Sequence, residues 1–297
     1  MIIKLHELLV KITFNQEEEW EFWRWKLDPF RISDYGSCPD ICIDLSCENN
    51  ELVNKPLYTD SAVYSEKSGF YTYTTYQKPD GTMLWCMDRP AKKQRILSYK
   101  ISSEWDKISL VEDYSNTRRQ LPFEVLNRLL PTVFLKQSAV QLHGVLLEDT
   151  GRGIVICADS GIGKTTHARL WRDHRNAFII DGDRASCIKD PKGWTAFGVP
   201  WCGTSGEYMN RSVPISAIVI LERGDINEAS CLSGIDPFFA VMPHLQYPVW
   251  NPQLRDQGMD LVQDLVDCVP VFRLRCRPDQ EAVEVLEKAI EERISHG

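Results

Sequence analysis

The run Ala158-Asp159-Ser160-Gly161-Ile162-Gly163-Lys164-Thr165-Thr166 constrains this chain more than any other feature. It follows Ile154-Val155-Ile156-Cys157, an apolar stretch of strand length, and leads into a segment with helical spacing that begins near Lys164. A glycine-containing turn from strand to helix leaves backbone N–H groups without partners and adds the positive end of the helix dipole. Gly161 and Gly163 let the backbone curl those N–H groups around phosphate oxygens, with Ser160 and Ile162 between strand and helix and Thr166 in the first helical turn. Lys164 supplies a point charge for the β and γ phosphates, and Thr165 a hydroxyl for Mg²⁺. The strict phosphate-loop pattern has Gly where this chain has Ala158, so the reading requires a negative φ at that residue. With lysine and threonine at the required offset, the run predicts a nucleotide-binding loop in preference to an ordinary turn.

A phosphate loop that works with Mg²⁺ needs a carboxylate nearby, because the ion takes oxygen ligands. The apolar run Phe178-Ile179-Ile180 ends in Asp181, and Asp183 lies two residues on. If the strand continues through Gly182, both carboxylates face the same way. Asp181 is then expected on the metal with Thr165, and Asp183 is expected to accept a substrate proton; a solvated turn is the competing reading. Gly198, Gly203 and Gly206 make residues 197–211 a flexible loop, in which Glu207 is a candidate for Mg²⁺ or the acceptor. Asn210 and Arg211 are candidates for phosphoryl oxygens. Arg223 ends the next apolar run and reads as a phosphate clamp or a surface ion pair.

The order of these pieces carries a resemblance. His143-Gly144-Val145-Leu146-Leu147, a turn, the strand at 154–157, the phosphate loop, a helix and the apolar strand with its Asp residues together resemble the C-terminal kinase domain of the HPr kinase/phosphorylase family. The resemblance covers residues 137–225 well and the rest of the C-terminal part loosely. It implies a fold related to phosphoenolpyruvate carboxykinase, an ATP–Mg²⁺ site and transfer of phosphate to a seryl hydroxyl. Matched residue by residue, it makes His143 the histidine that sits beside the reacting phosphate and assists the catalytic carboxylate, with Lys164 and Thr165 the phosphate and metal ligands. The family has two adjacent Asp residues after the apolar strand. Aligned on Arg184, the second is Asp183, whereas Gly182 stands in place of the first and Asp181 one residue earlier. Either Asp181 supplies the missing carboxylate or Asp183 works alone. Residues 197–210 are more similar to stand-alone kinases of this type, associated with peptide modification, than to HPr kinase itself. Residues 1–115 show no such similarity to the family's N-terminal domain, so neither phosphorylase activity nor a homo-oligomer is inherited with the fold.

The chain has 297 residues, enough for two domains with real cores. Residues 1–118 are expected to form an aromatic-rich antiparallel β module, and 119–297 a mixed α/β (α+β) domain with a phosphoenolpyruvate carboxykinase-like P-loop kinase core. In the first part, Phe70 to Tyr76 alternates aromatic and Thr residues, Pro79-Asp80-Gly81 signals a turn, and Thr82 to Met87 reads as the returning strand of a hairpin. Trp20, Trp23 and Trp25 read as sheet core, with a peptide-binding surface as the alternative. Helical spacing from Leu121 to Phe134 is interrupted by Pro131, which predicts a kink or two short helices. Further strands are expected at 140–147, 177–181, 194–199, 215–221 and 269–274, and helices at 258–267 and 280–293.

A net charge of −8 argues against a general nucleic-acid binder. The absence of an 18-residue apolar run, together with charged and Trp-rich residues in the first 25 positions, predicts a cytoplasmic protein without a membrane segment. The cysteines form no CxxC pair and read as reduced, mostly buried side chains. The leading expectation is an ATP-dependent kinase acting on a seryl or threonyl hydroxyl of a peptide or protein, with residues 1–115 recognising the acceptor. A small-molecule hydroxyl kinase and a non-catalytic nucleotide-binding regulator remain the alternatives.

Overall fold

The computed structural model describes residues 1–14, 23–33, 36–47, 62–113, 120–201 and 205–295. Trp20, Cys202 and Gly203 lie outside the described residues. The chain divides into two compact units, Met1–Val133 and Phe134–Gly297. Strands in two mixed sheets, with helices, make it a mixed α/β protein.

The first unit contains β1 (Ile2–Leu5), β2 (Leu8–Thr13), β3 (Arg31–Ile32), β4 (Ile41–Asp44), β5 (Ala62–Ser68), β6 (Tyr71–Gln77), β7 (Met83–Arg89), β8 (Gln94–Ile101) and β9 (Lys107–Asp113). Their order across the sheet is β3-β1-β2-β4-β9-β8-β7-β6-β5. The hairpin read from the aromatic–Thr alternation is β6–β7, which pairs Thr74 with Cys86 and stacks Tyr73 on Trp85 at 5.4 Å. The sheet is not wholly antiparallel as expected: β4 runs parallel to both β2 and β9. Side-chain alternation fixes which face a strand buries but not its direction, so this inversion leaves no mark on the pattern. Trp23 is buried and stacks on Phe123 at 4.3 Å, whereas Trp25 is 59% exposed, so these two tryptophans divide between core and surface. Pro131 divides the helical segment into α1 (Leu121–Val125) and α2 (Leu130–Lys136), and falls in the first turn of α2, where its missing N–H costs no helical bond.

The second unit is built from β10 (Ala139–Asp149), β11 (Arg152–Cys157), α3 (Lys164–Arg175), β12 (Phe178–Asp181), β13 (Arg184–Asp190), β14 (Gly193–Phe197), β15 (Ser212–Arg223), β16 (Glu228–Cys231), α4 (Asp236–Val241), α5 (Pro252–Cys268), β17 (Val271–Cys276) and α6 (Gln280–Ser295). Thr150 and Gly151 both have positive φ, +50° and +82°, which closes the tight β10–β11 hairpin. Residues 139–143 of β10 pair with β13, and residues 144–149 pair with β11 and β12. Period-two alternation then covers both faces. Val155, Leu146 and Ile218 join Val262 and Leu265 of α5 in one core, and Ile154, Ile156 and Val219 join Trp171 of α3 and Leu286 of α6 in the other.

Local signals fix the helix starts. Asn251 caps α5 by accepting from the Leu254 N–H at 3.0 Å, and Asp279 accepts from the Ala282 N–H at 3.2 Å before α6. No described helix is long and apolar enough to cross a membrane. The described cysteines are free; Cys86, Cys157, Cys187 and Cys276 are buried, but Cys38, Cys231 and Cys268 are exposed, contrary to the expectation of mostly buried thiols.

Gly144, the first residue of β10 to pair with β11, has no room for a side chain. A Cβ there lies 2.9 Å from the Ile156 carbonyl oxygen and 3.0 Å from Cys157 Sγ. Gly144→Ala is therefore expected to lower stability by about 1–3 kcal/mol, measured as a shift in denaturant midpoint.

Candidate functional site

The phosphate-loop run lies between β11 and α3, as its sequence requires. Gly161 and Gly163 have φ of +80° and +128°, the left-handed region that favours glycine. Ala158 is buried and is not among the described positive-φ residues, so alanine fits the first loop position without strain. Ile162 packs against the α3–α6 core and anchors the loop's middle. Ser160 and Thr166 are exposed, while Thr165 is half-buried in the first turn of α3.

Lys164 folds back over the loop. Its Nζ donates to the Ala158 carbonyl at 2.7 Å and lies 3.3 Å from His143 Nε2. An ammonium can only donate, so Nε2 accepts and the neutral ring carries its proton on Nδ1. That nitrogen lies 3.7 Å from Asp183 Oδ1. Burial and the neighbouring Lys164 lower the His143 pKa, against the opposing pull of Asp183. Asp183 Oδ2 lies 3.3 Å from Arg184 Nε. Arg184 Nη1 in turn donates to Gln141 Oε1 at 3.2 Å and to Gln246 Oε1. Lysine, histidine, aspartate and arginine thus form one line running from the loop to the start of β13.

The two carboxylates do not share a direction. Asp181 is fully buried, and its Oδ1 accepts from the Asp183 and Arg184 N–H groups at 3.0 and 2.9 Å. Its Oδ2 accepts from the Val199 N–H at 3.5 Å. Burial outweighs these amide bonds and pushes its pKa up to about 8. Both of its oxygens are taken up by backbone amides, so in this structure Asp181 serves the turn between β12 and β13. The strand does not continue through Gly182: β12 ends at Asp181 and β13 starts at Arg184, which defeats the same-face expectation. Ser205 occupies the place a side chain at Gly182 would need, and the Gly182 N–H donates to the Glu207 carbonyl at 3.0 Å. The space beside Gly182 is therefore filled by another segment.

Two arginines singled out in the sequence make contacts with protein groups. Arg211 pairs with Glu148 through two guanidinium nitrogens and lies over the Phe178 ring, so it is committed to a structural contact instead of phosphoryl oxygens. Arg223 donates to the Ile162 carbonyl at 3.2 Å and to that of Gly161 at 2.5 Å, which makes it a brace of the loop backbone. A cleft of about 820 Å³ opens beside that brace, lined by residues 161–163, 166–167, 221–226 and 275–278.

Among the described residues no group of three or more His, Cys, Asp and Glu side chains is placed to cage a metal ion. Glu207 gives one oxygen to Arg172 at 3.2 Å, while its Oε2 is buried with no hydrogen-bond partner among the described residues. A hydroxyl at Thr165 and an unsatisfied carboxylate oxygen are hard donors. They suit Mg²⁺ carried on phosphates and water better than a cation held by protein alone.

Sequence reasoning missed His244, Gln141 and Gln246. They lie far from the loop in sequence or in an unremarkable strand, and only the strand pairing brings them beside His143 and Arg184.

No family model and no curated protein matches the chain. Among solved structures it is similar to the HPr(Ser) kinase/phosphatase from Coxiella burnetii, with 9% identity, a TM-score of 0.30, and coverage of 52% of this chain and 91% of that one.

Removing Asp181 leaves buried turn amides without an acceptor, whereas Asp183 is partly exposed. Asp181→Ala is expected to cost at least about 2 kcal/mol of stability, and Asp183→Ala under about 1 kcal/mol. Denaturant unfolding of both variants measures the difference.

Proposed function

We propose that the second unit is an ATP-dependent phosphotransferase that moves the γ-phosphoryl group onto an alcohol. One observation carries the reading: the Lys164 ammonium spans the phosphate loop and His143, whose other ring nitrogen faces the Asp183 carboxylate. A loop for phosphate, a cation for its charge and a carboxylate for a proton then lie in sequence along one line.

In this reading the N–H groups at the start of α3 and the Lys164 charge hold the β and γ phosphates. The nucleoside occupies the cleft at residues 222–226 and 275–278, on the other side of the loop from His143. The acceptor oxygen attacks the γ-phosphorus as its bond to the β–γ bridging oxygen breaks. The hydroxyl proton passes to Asp183, and ADP departs with the bridging oxygen. His143 and Arg184 hold the two oxygens of Asp183, so the base meets the acceptor in one orientation. Thr165, with Glu207 as a second candidate oxygen, would hold Mg²⁺, which supplies neutralisation of the phosphate charge. The acceptor class is a seryl or threonyl hydroxyl of a peptide or protein, supported by the resemblance of residues 137–225 and 197–210 to seryl kinases. Residues 1–118 are proposed to contribute acceptor recognition, for which an aromatic-rich sheet offers strand pairing and ring pockets.

The test separates binding from transfer. Lys164→Ala is expected to weaken MgATP binding at least ~10-fold with an unchanged circular dichroism spectrum. Asp183→Asn is expected to keep MgATP affinity within a few-fold and to lower phosphoryl transfer by about 10²-fold or more, because an amide cannot take the proton. Unchanged nucleotide affinity and turnover in folded Lys164→Ala would refute the site.

The pH profile gives a second check. Protonating His143 sets its cation against Lys164 and removes the lone pair that Lys164 donates to. Its lowered pKa keeps the ring neutral as pH falls through 6.5, the ordinary histidine value, so kcat/KM is expected to hold at that pH and to drop only on the more acidic side.

A further inference from the structure

His244 closes the short turn Met242–His244 after α4 and is only 8% exposed. Leu245 forms an antiparallel bridge with Leu142, and the Gln246 N–H donates to the Gln141 carbonyl at 2.9 Å. The bridge brings residue 244, the last of the turn, beside residue 143. His244 therefore lies near His143, close enough to Lys164 and Asp159 to feel their charges. Neither nitrogen of its ring has a hydrogen-bond partner among the described residues. The ring nitrogens keep access to solvent although the side chain is otherwise buried, so an imidazole placed this way beside the loop is open to a ligand.

We propose that His244 is a substrate-contacting residue that donates a hydrogen bond to an oxygen of the terminal phosphate of the bound nucleoside triphosphate. The inference rests on the phosphotransferase reading above and adds a residue to it. His244 is absent from the lining of the cleft at residues 222–226 and 275–278, and lies instead on the His143 side of the loop. A nucleotide with its nucleoside in that cleft brings its terminal phosphate to the His143 side. Burial and the Lys164 charge lower the His244 pKa, so at neutral pH the ring offers one N–H and one lone pair. The N–H answers a phosphate oxygen with no added positive charge next to Lys164.

The probes are MgADP and the Mg²⁺ complex of a nonhydrolysable ATP analogue, compared by calorimetry. Wild-type protein is expected to bind both. His244→Leu is expected to lose ~10-fold or more in affinity for the analogue and to bind ADP as wild type does, since a hydrogen bond to a charged group is worth about that factor. His244→Gln, which keeps a side-chain N–H, is expected to recover most of the loss. In wild-type protein labelled at histidine, the His244 ring resonance is expected to move with the analogue and not with ADP, a readout that needs no variant to fold. If wild type binds neither nucleotide, the phosphotransferase reading falls and this inference with it. If wild type binds both, while His244→Leu matches it for both or weakens both equally, or the resonance ignores the analogue, only the role of His244 is overturned.

Discussion

Strand β10 changes partners between His143 and Gly144, and the arrangement of the site depends on that change. Up to His143 it pairs with β13; from Gly144 onward it pairs with β11 and β12. The glycine loop before α3 follows β11, the Asp181–Asp183 turn joins β12 to β13, and His143 sits on β10 itself. Loop, histidine and carboxylate are therefore attached to one strand. A side chain at position 144 would press on the Ile156 carbonyl, so the absence of a Cβ is what lets β11 approach there. The Gly144 N–H, donating to the Asp183 carbonyl at 3.1 Å, ties the turn to the same point.

Around this joint, a cation at each end flanks a neutral ring and a carboxylate, and burial separates their environments. Lys164 and Arg184 stand at the two ends, with His143 and Asp183 between them. A neutral histidine between an ammonium and a carboxylate keeps its proton toward the carboxylate, which fixes both orientation and tautomer. Asp181, two residues from Asp183, belongs to a different environment. Removed from water and bonded to amides, it shapes the turn that presents Asp183. Two aspartates that look equivalent in sequence thus differ in burial: Asp181 is closed into the turn amides, and Asp183 is partly exposed.

The loop shows how side chains from distant segments stabilise a backbone that has few hydrogen bonds of its own. Arg223, from the end of β15, grips two of its carbonyls, and Lys164 grips a third. Ile162 is set into the core below. These contacts hold the loop in shape.

Local chemistry was legible wherever a short window contains it. The aromatic–Thr alternation gave β6, the turn before the strand at 154–157 gave the β10–β11 hairpin, and Pro131 gave two helices, because each depends on periodicity or a backbone preference confined to a few residues. The strand–loop–helix order around Gly161, Gly163 and Lys164 was legible for the same reason. Strand β13 escaped notice: Arg184-Ala-Ser-Cys-Ile-Lys-Asp190 mixes polar and apolar residues, and its strand state comes from pairing with β10 and β14 on either side. The parallel direction of β4, the commitment of Arg211 to Glu148, the filling of the Gly182 space by Ser205 and the meeting of His143 with His244 were likewise decided by the tertiary structure. Each depends on which distant segments become neighbours, and the free energy of burying or pairing a charge depends on those neighbours. The sequence by itself determined the elements and the chemical groups on offer; folding decided which groups were desolvated, which were paired, and which were left to meet a ligand.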